Sequence, residues 1–133
     1  MASFELATPA RVVFGAGRAK EVPAEVAALG VGRVLLVTGR TAGRAEPLAA
    51  GLAARGLAAV PLRVEGEPTV EQVRGGVALG KRERCDGVLA VGGGSAIDAG
   101  KAIAGLLGNG SDDPLEHLEV VGRGKPLARP GLP

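Results

Sequence analysis

The chain has 133 residues, 46% hydrophobic and 23% charged, with 16 Lys and Arg against 14 Asp and Glu, for a formal net charge of +2. That length suits one domain able to bury a core, and no apolar run is long enough to span a membrane. Trp and Tyr are absent, Phe4 and Phe14 are the only aromatics, and the basic residues are scattered, so a nucleic-acid surface is disfavoured.

The start, Met1-Ala-Ser-Phe-Glu-Leu, has neither the basic nor the apolar stretch of a secretory signal, and we read the chain as cytoplasmic. Short aliphatic runs predict strands at Arg11–Phe14, Arg33–Thr38, Ala58–Val64 and Gly87–Val91, each nearly continuous in apolar residues, as in strands covered on both faces. Helical periodicity falls between and after them, at about Ala19–Leu29, Ala45–Arg55, Val70–Arg84 and Ala96–Leu107. Gly30, Gly56 and Gly108 stand just past helical segments, where a left-handed cap is wanted. Ser111-Asp-Asp-Pro114 reads as a cap and first-turn proline opening a short helix to about Leu118. Residues 122–133 hold three prolines and three glycines without a packing pattern, and read as extended or poorly ordered. The single Cys85 cannot form an internal disulfide and reads as a buried small residue before a strand. Strand–helix alternation of this length implies right-handed crossovers and a parallel, Rossmann-like α/β sheet with helices on both faces, one domain over residues 1–133.

Chemistry concentrates in Val88-Leu-Ala-Val-Gly92-Gly-Gly-Ser95-Ala-Ile-Asp98-Ala-Gly-Lys101. A strand, three glycines and a helix opening on Ser95 present bare backbone N–H groups to an anion, and the helix dipole favours negative charge there. A nucleotide pyrophosphate fits. A Walker A loop does not, because five residues separate Gly94 from Gly100-Lys101 and Ala102 replaces the hydroxyl. Ser95 and Asp98 also have the spacing of a capping box, which is compatible with phosphate binding. Gly15-Ala-Gly17 is a weaker motif, more simply a turn. The loop Thr38-Gly39-Arg40-Thr41 follows the second predicted strand, where an acidic residue would select NAD by binding the ribose hydroxyls and repelling a 2′-phosphate. Gly39 removes that repulsion, and Arg40 and Thr41 suit a phosphate. His117 is the single histidine and reads as a surface residue on a short helix, so no metal site is assigned. From Ala96 to Leu107 the charged residues are Asp98 and Lys101, which can pair with each other. The rest is apolar all round, so the helix calls for cover beyond one sheet face.

Gly92-Gly-Gly-Ser95 with Asp98 and Lys101 resembles the GGGSxxDxxK signature of the iron-containing (group III) alcohol dehydrogenases of the dehydroquinate synthase-like superfamily. Val13-Phe14-Gly15-Ala-Gly17, Val34–Thr38, Pro68-Thr69 and Cys85-Asp86-Gly87 extend the likeness over nearly the whole chain. The resemblance implies the nucleotide-binding N-terminal half of such an enzyme, with hydride passing between NAD(P)(H) and an alcohol or aldehyde. It implies Gly92, Gly93, Gly94, Ser95, Asp98, Thr38, Gly39, Arg40 and Thr41 as cofactor-binding residues, with Asp98 near the nicotinamide and substrate. NADP is the expected cofactor and NAD the alternative, since NAD-preferring members often carry Asp where this chain has Gly39. Asp98 favours the metal-dependent dehydrogenases over maleylacetate reductases. Iron or zinc would be held by a helical C-terminal half, and the family's TTxGTGSE motif would begin after Pro133. On this reading the chain alone is inactive and either associates with itself or meets a missing C-terminal domain. Two alternatives stand beside it: a free-standing nucleotide-binding or assembly module without redox activity, and a related maleylacetate reductase or polyol- or phosphate-substrate dehydrogenase.

Overall fold

The computed structural model describes residues 11–133. Strands β1 (Arg33–Thr38), β2 (Ala58–Arg63) and β3 (Gly87–Val91) form one parallel sheet in the order β2-β1-β3. Helices α1 (Val22–Ala28), α2 (Glu46–Ala53), α3 (Val70–Arg82) and α4 (Gly94–Asn109) alternate with the strands, and short 3-10 turns occupy Arg18–Glu21, Ala42–Ala45 and Pro114–Glu116. The expected α/β architecture is the one observed.

β1 is hydrogen-bonded on both edges and covered on both faces. Val34 joins Val26, Val31 and Leu52 on the side of α1 and α2, while Leu35 and Val37 join Val73, Val77, Ala99, Ile103 and Leu106 on the side of α3 and α4. A strand so placed has no solvent face for polar side chains, which is why Val34-Leu-Leu-Val is unbroken. α3 starts on a reciprocal cap: Gln72 N donates to Thr69 Oγ1 at 3.2 Å and Thr69 N to Gln72 Oε1 at 2.9 Å. Cys85 is half-buried, and burial pushes its thiol pKa up, the reverse of an activated thiolate.

Four expectations need correction. Arg11–Phe14 is not a strand: Phe14 is 98% exposed, and the segment has no neighbouring strand among the described residues. An apolar run without a pairing partner is not enough to make a strand. Gly108 lies inside α4, and Gly110 at φ 67° is the left-handed cap. Gly108 is small for another reason, since a methyl there would sit 2.6 Å from the Pro130 carbonyl oxygen. The tail over 122–133 is extended but pinned: Arg129 N donates to Asn109 Oδ1 and Asn109 Nδ2 to Arg129 O, both at 2.8 Å, and Leu132 N donates to Ala104 O at 3.0 Å. Finally, α4 gets most of its cover within the chain. It lies on β3 through Gly100 and Ala90, on α3 through Gly76 and Gly80, and under the tail at Gly105 and Gly108, leaving Ile97 39% exposed.

The turn that brings β3 alongside β1 depends on Asp86. Its carboxylate accepts from Gly32 N at 3.0 and 3.1 Å and from Arg33 N at 2.8 Å. Desolvation pushes the Asp86 carboxyl up, and the backbone bonds from Gly32 and Arg33 outweigh it, holding the pKa below the usual value. A lowered folded pKa means stability that is present at neutral pH and lost as pH falls through it. Asp86→Ala is expected to cost about 1–2 kcal/mol at pH 7. Urea melts of the two proteins should converge in strong acid, and a gap unchanged by pH would show that the carboxylate is not the stabilising group.

Candidate dinucleotide site

Three parallel strands end at one edge of the sheet, so the loops after them meet there. After β1 comes Gly39–Thr41, after β2 Val64–Gly66, and after β3 the glycines that lead into α4. A cavity of about 290 Å³ opens between them, lined by Gly39, Arg40 and Thr41, by Val64 and Gly66, and by Gly93, Ser95 and Ala96. Five of the nine residues expected from sequence therefore share one pocket.

The three glycines divide by role. Gly92 stands at φ 152°, and a methyl on it would lie 3.0 Å from Ala96 Cβ and 3.4 Å from Gly39 N. Its lack of a side chain lets the β1 loop close against the start of α4. Gly93 and Gly94 have open space where a side chain would be. Gly93 is the N-cap, extended at φ −81° and ψ −169°, with no side-chain cap on the helix. The first intrahelical bond runs from Ile97 N to Gly93 O at 3.2 Å. The N–H groups of Gly94, Ser95 and Ala96 precede it and have no intrahelical acceptor. This is an uncapped helix start facing a cavity, the arrangement that binds anions.

The capping box expected at Ser95 and Asp98 is not formed. α4 begins two residues earlier, at Gly94, which places Ser95 inside the first turn, where its side chain no longer has the extended backbone a cap requires. Asp98 is exposed and does not line the cavity, and among the described residues it makes no ion pair with Lys101. Thr38 is buried, and its Oγ1 donates to Leu62 O at 3.5 Å, so it supports the sheet edge and does not line the pocket. Gly92 and Gly94 are exposed and do not line the cavity. Val64, Gly66 and Ala96 were not anticipated, although Gly66-Glu67-Pro68 closes a predicted strand and so had to lie at the same edge.

Two other cavities lack this chemistry. One of about 730 Å³ lies between Val13-Phe14 and α1, is mostly apolar, and has its nearby charges neutralised as Arg11–Glu25 and Arg18–Glu21 pairs. The other, about 330 Å³, surrounds His117, whose Nδ1 donates to Lys125 O at 2.7 Å while Nε2 meets Ser111 Oγ at 3.1 Å. His117 is half-buried at the end of a 3-10 turn and ties two loops together. Nearby, Arg74 grips Asp113 with Nη2 at 2.8 Å from both carboxylate oxygens, and that hydrogen bond holds the Asp113 pKa below the usual carboxylate range. Among the described residues no group of three or more His, Cys, Asp or Glu could hold a metal ion. No helix among them is long and apolar enough to cross a membrane.

Residues 9–133 match the family described as iron-containing alcohol dehydrogenase. The chain belongs to that family. It is 43% identical over 129 residues to choline dehydrogenase of Bacillus subtilis, covering 94% of this chain and 31% of the relative. Among solved structures, the NADH-dependent butanol dehydrogenase A of Thermotoga maritima superposes with a TM-score of 0.80 at 26% identity, covering 98% of this chain and 33% of that one. Sulfoacetaldehyde reductase of Bifidobacterium kashiwanohense, solved with NAD+, gives 0.81 at 25% identity, covering 100% and 35%. The chain thus spans about a third of the length of these relatives.

The glycine division predicts opposite outcomes for two small changes. Gly92→Ala should cost roughly 1–3 kcal/mol, because a side chain is strained at that φ and crowds Ala96. Gly93→Ala should leave the melting temperature almost unchanged. Equal melting temperatures for the two variants would refute the assignment.

Proposed function

We propose that this chain is the cofactor-binding portion of an NAD(P)-dependent alcohol dehydrogenase or aldehyde reductase. The observation that carries the proposal is the meeting of Gly93, Ser95 and Ala96 with Gly39–Thr41 in one cavity, under an uncapped helix start. The pyrophosphate would lie on the N–H groups of Gly94, Ser95 and Ala96, with Ser95 Oγ as a further donor. The adenosine ribose would lie towards Gly39–Thr41, at the end of β1. Asp98, one turn into α4, would face the nicotinamide and substrate side. The family name implies iron, but the described residues provide no donor set for it, so no step is assigned to a metal on this chain. What these residues do is bind and orient the dinucleotide for hydride transfer.

The proposal includes a preference for NADPH. At position 39 no carboxylate repels a 2′-phosphate, Arg40 is exposed, and Thr41 adds a hydroxyl. Relatives whose names specify a cofactor, the Thermotoga maritima and Bifidobacterium kashiwanohense enzymes among them, have NADH or NAD+, and the Gly39 loop is the reason to expect a different choice here.

Gly93→Val places a branched side chain where the anion would approach. It should abolish binding of both NADH and NADPH in folded protein, as read by calorimetry. Undiminished affinity would reject the site. Gly39→Asp should reverse the NADPH preference, since a charged hydrogen bond lost or gained is worth roughly 1.5–3 kcal/mol. Wild-type protein that binds NADH as tightly as NADPH would remove the basis for the preference.

A further inference from the structure

We infer that Arg63 is a specificity-determining residue of this site, the second of two guanidinium groups that receive a phosphate on the adenosine ribose. The inference rests on the dinucleotide reading above. Arg63 ends β2 in register with Thr38, the last residue of β1, so its side chain leaves the sheet beside the loop that lines the cavity. Nη2 donates to the main-chain oxygen of Arg40 at 3.4 Å, and Nε pairs with Glu65 at 3.0 Å. The guanidinium is therefore held against the Gly39–Thr41 loop, although Arg63 is not itself a lining residue of the pocket.

The charge held there is engaged by one exposed carboxylate, Glu65. The Arg63 side chain is 53% exposed, and its Nη1 has no hydrogen bond among the described residues. Arg40 makes no side-chain ion pair among them. One guanidinium on the loop and one held against it thus adjoin a position 39 that lacks a carboxylate. A phosphate monoester brings close to two negative charges and three acceptor oxygens, and a guanidinium matches it with paired donors. A ribose hydroxyl offers neither the charge nor the fork geometry, so the pair discriminates between the two cofactors.

Glu65 competes for the same guanidinium. Its side chain is 63% exposed, and an ion pair so open to water is weak enough for a dianion to displace. Glu65 therefore acts as a brake on phosphate binding, which gives a second test of opposite sign.

The experiment is calorimetric titration of the 133-residue chain with NADPH and with NADH, at low and at raised salt, on folded variants checked by circular dichroism. Arg63→Ala should weaken NADPH binding about tenfold while NADH changes less than about twofold, and Arg63→Lys should fall between, keeping the charge without the fork. Glu65→Gln should tighten NADPH several-fold at low salt, and the gain should fade as salt screens it. An unchanged NADPH-to-NADH ratio in Arg63→Ala would overturn the inference, as would equal loss of both cofactors, which would make Arg63 a support for the loop alone. Absence of any gain in Glu65→Gln would also overturn it. Gly93→Val, run in parallel, separates the two levels. If it binds both cofactors like wild type, the site itself is wrong, and if it loses both while the Arg63→Ala ratio is unchanged, only the role of Arg63 falls.

Discussion

A parallel sheet brings every strand's carboxyl end to the same edge, and each feature of the site follows from that direction. β1 pairs with β2 on one side and β3 on the other, so loops far apart in sequence become neighbours only if both registers hold. Asp86 enforces one register by accepting two backbone N–H groups at the start of β1. Gly92 enforces closure at the other end, where its missing side chain lets Gly39 come up against the start of α4. A carboxylate at one end of the sheet and an absent methyl at the other thus set the width of the gap in which a ligand could lie.

The strands and helices were legible because burial on two faces leaves an unbroken apolar signature, as in Val34-Leu-Leu-Val, and because glycine marks left-handed caps at Gly30 and Gly56. The same reasoning failed at Arg11–Phe14, since an apolar run says nothing about whether a neighbouring strand is available. At Ser95 cap preference argued for a serine, and Gly93, two residues before it, took the position. A glycine cap leaves donors free that a serine cap would have consumed. Five of the eight lining residues were visible in the glycine run and in the residues after β1. Val64 and Gly66 were hidden because nothing in their chemistry marks them, only their place at the end of a third strand.

The tail shows a different limit of sequence reading. Residues 122–133 have no hydrophobic period, because much of their attachment runs through backbone groups and the side chains of Asn109 and His117. Asn109 acts as donor and acceptor to the same residue, Arg129, and the small residues on α4 allow the tail's backbone to lie against the helix. A helix apolar all round called for cover beyond one sheet face, and its own glycines mark the contact lines with β3 and the tail, while Gly76 and Gly80 of α3 mark the third.

That packing bears on the chemistry at the helix start. α4 meets three different elements along its length, and each contact relies on a glycine that brings backbone to within van der Waals range. A helix clamped on three sides cannot pivot without opening several contacts at once. Its N–H groups therefore point in a fixed direction before any ligand arrives, and an anion that binds them pays little to order the site. The Gly39–Thr41 loop has fewer such contacts and is exposed at Arg40 and Thr41. On the proposed reading, affinity for the shared pyrophosphate would reside in the rigid helix start, while discrimination between cofactors would fall to the lightly held loop and to the arginine that leans on it.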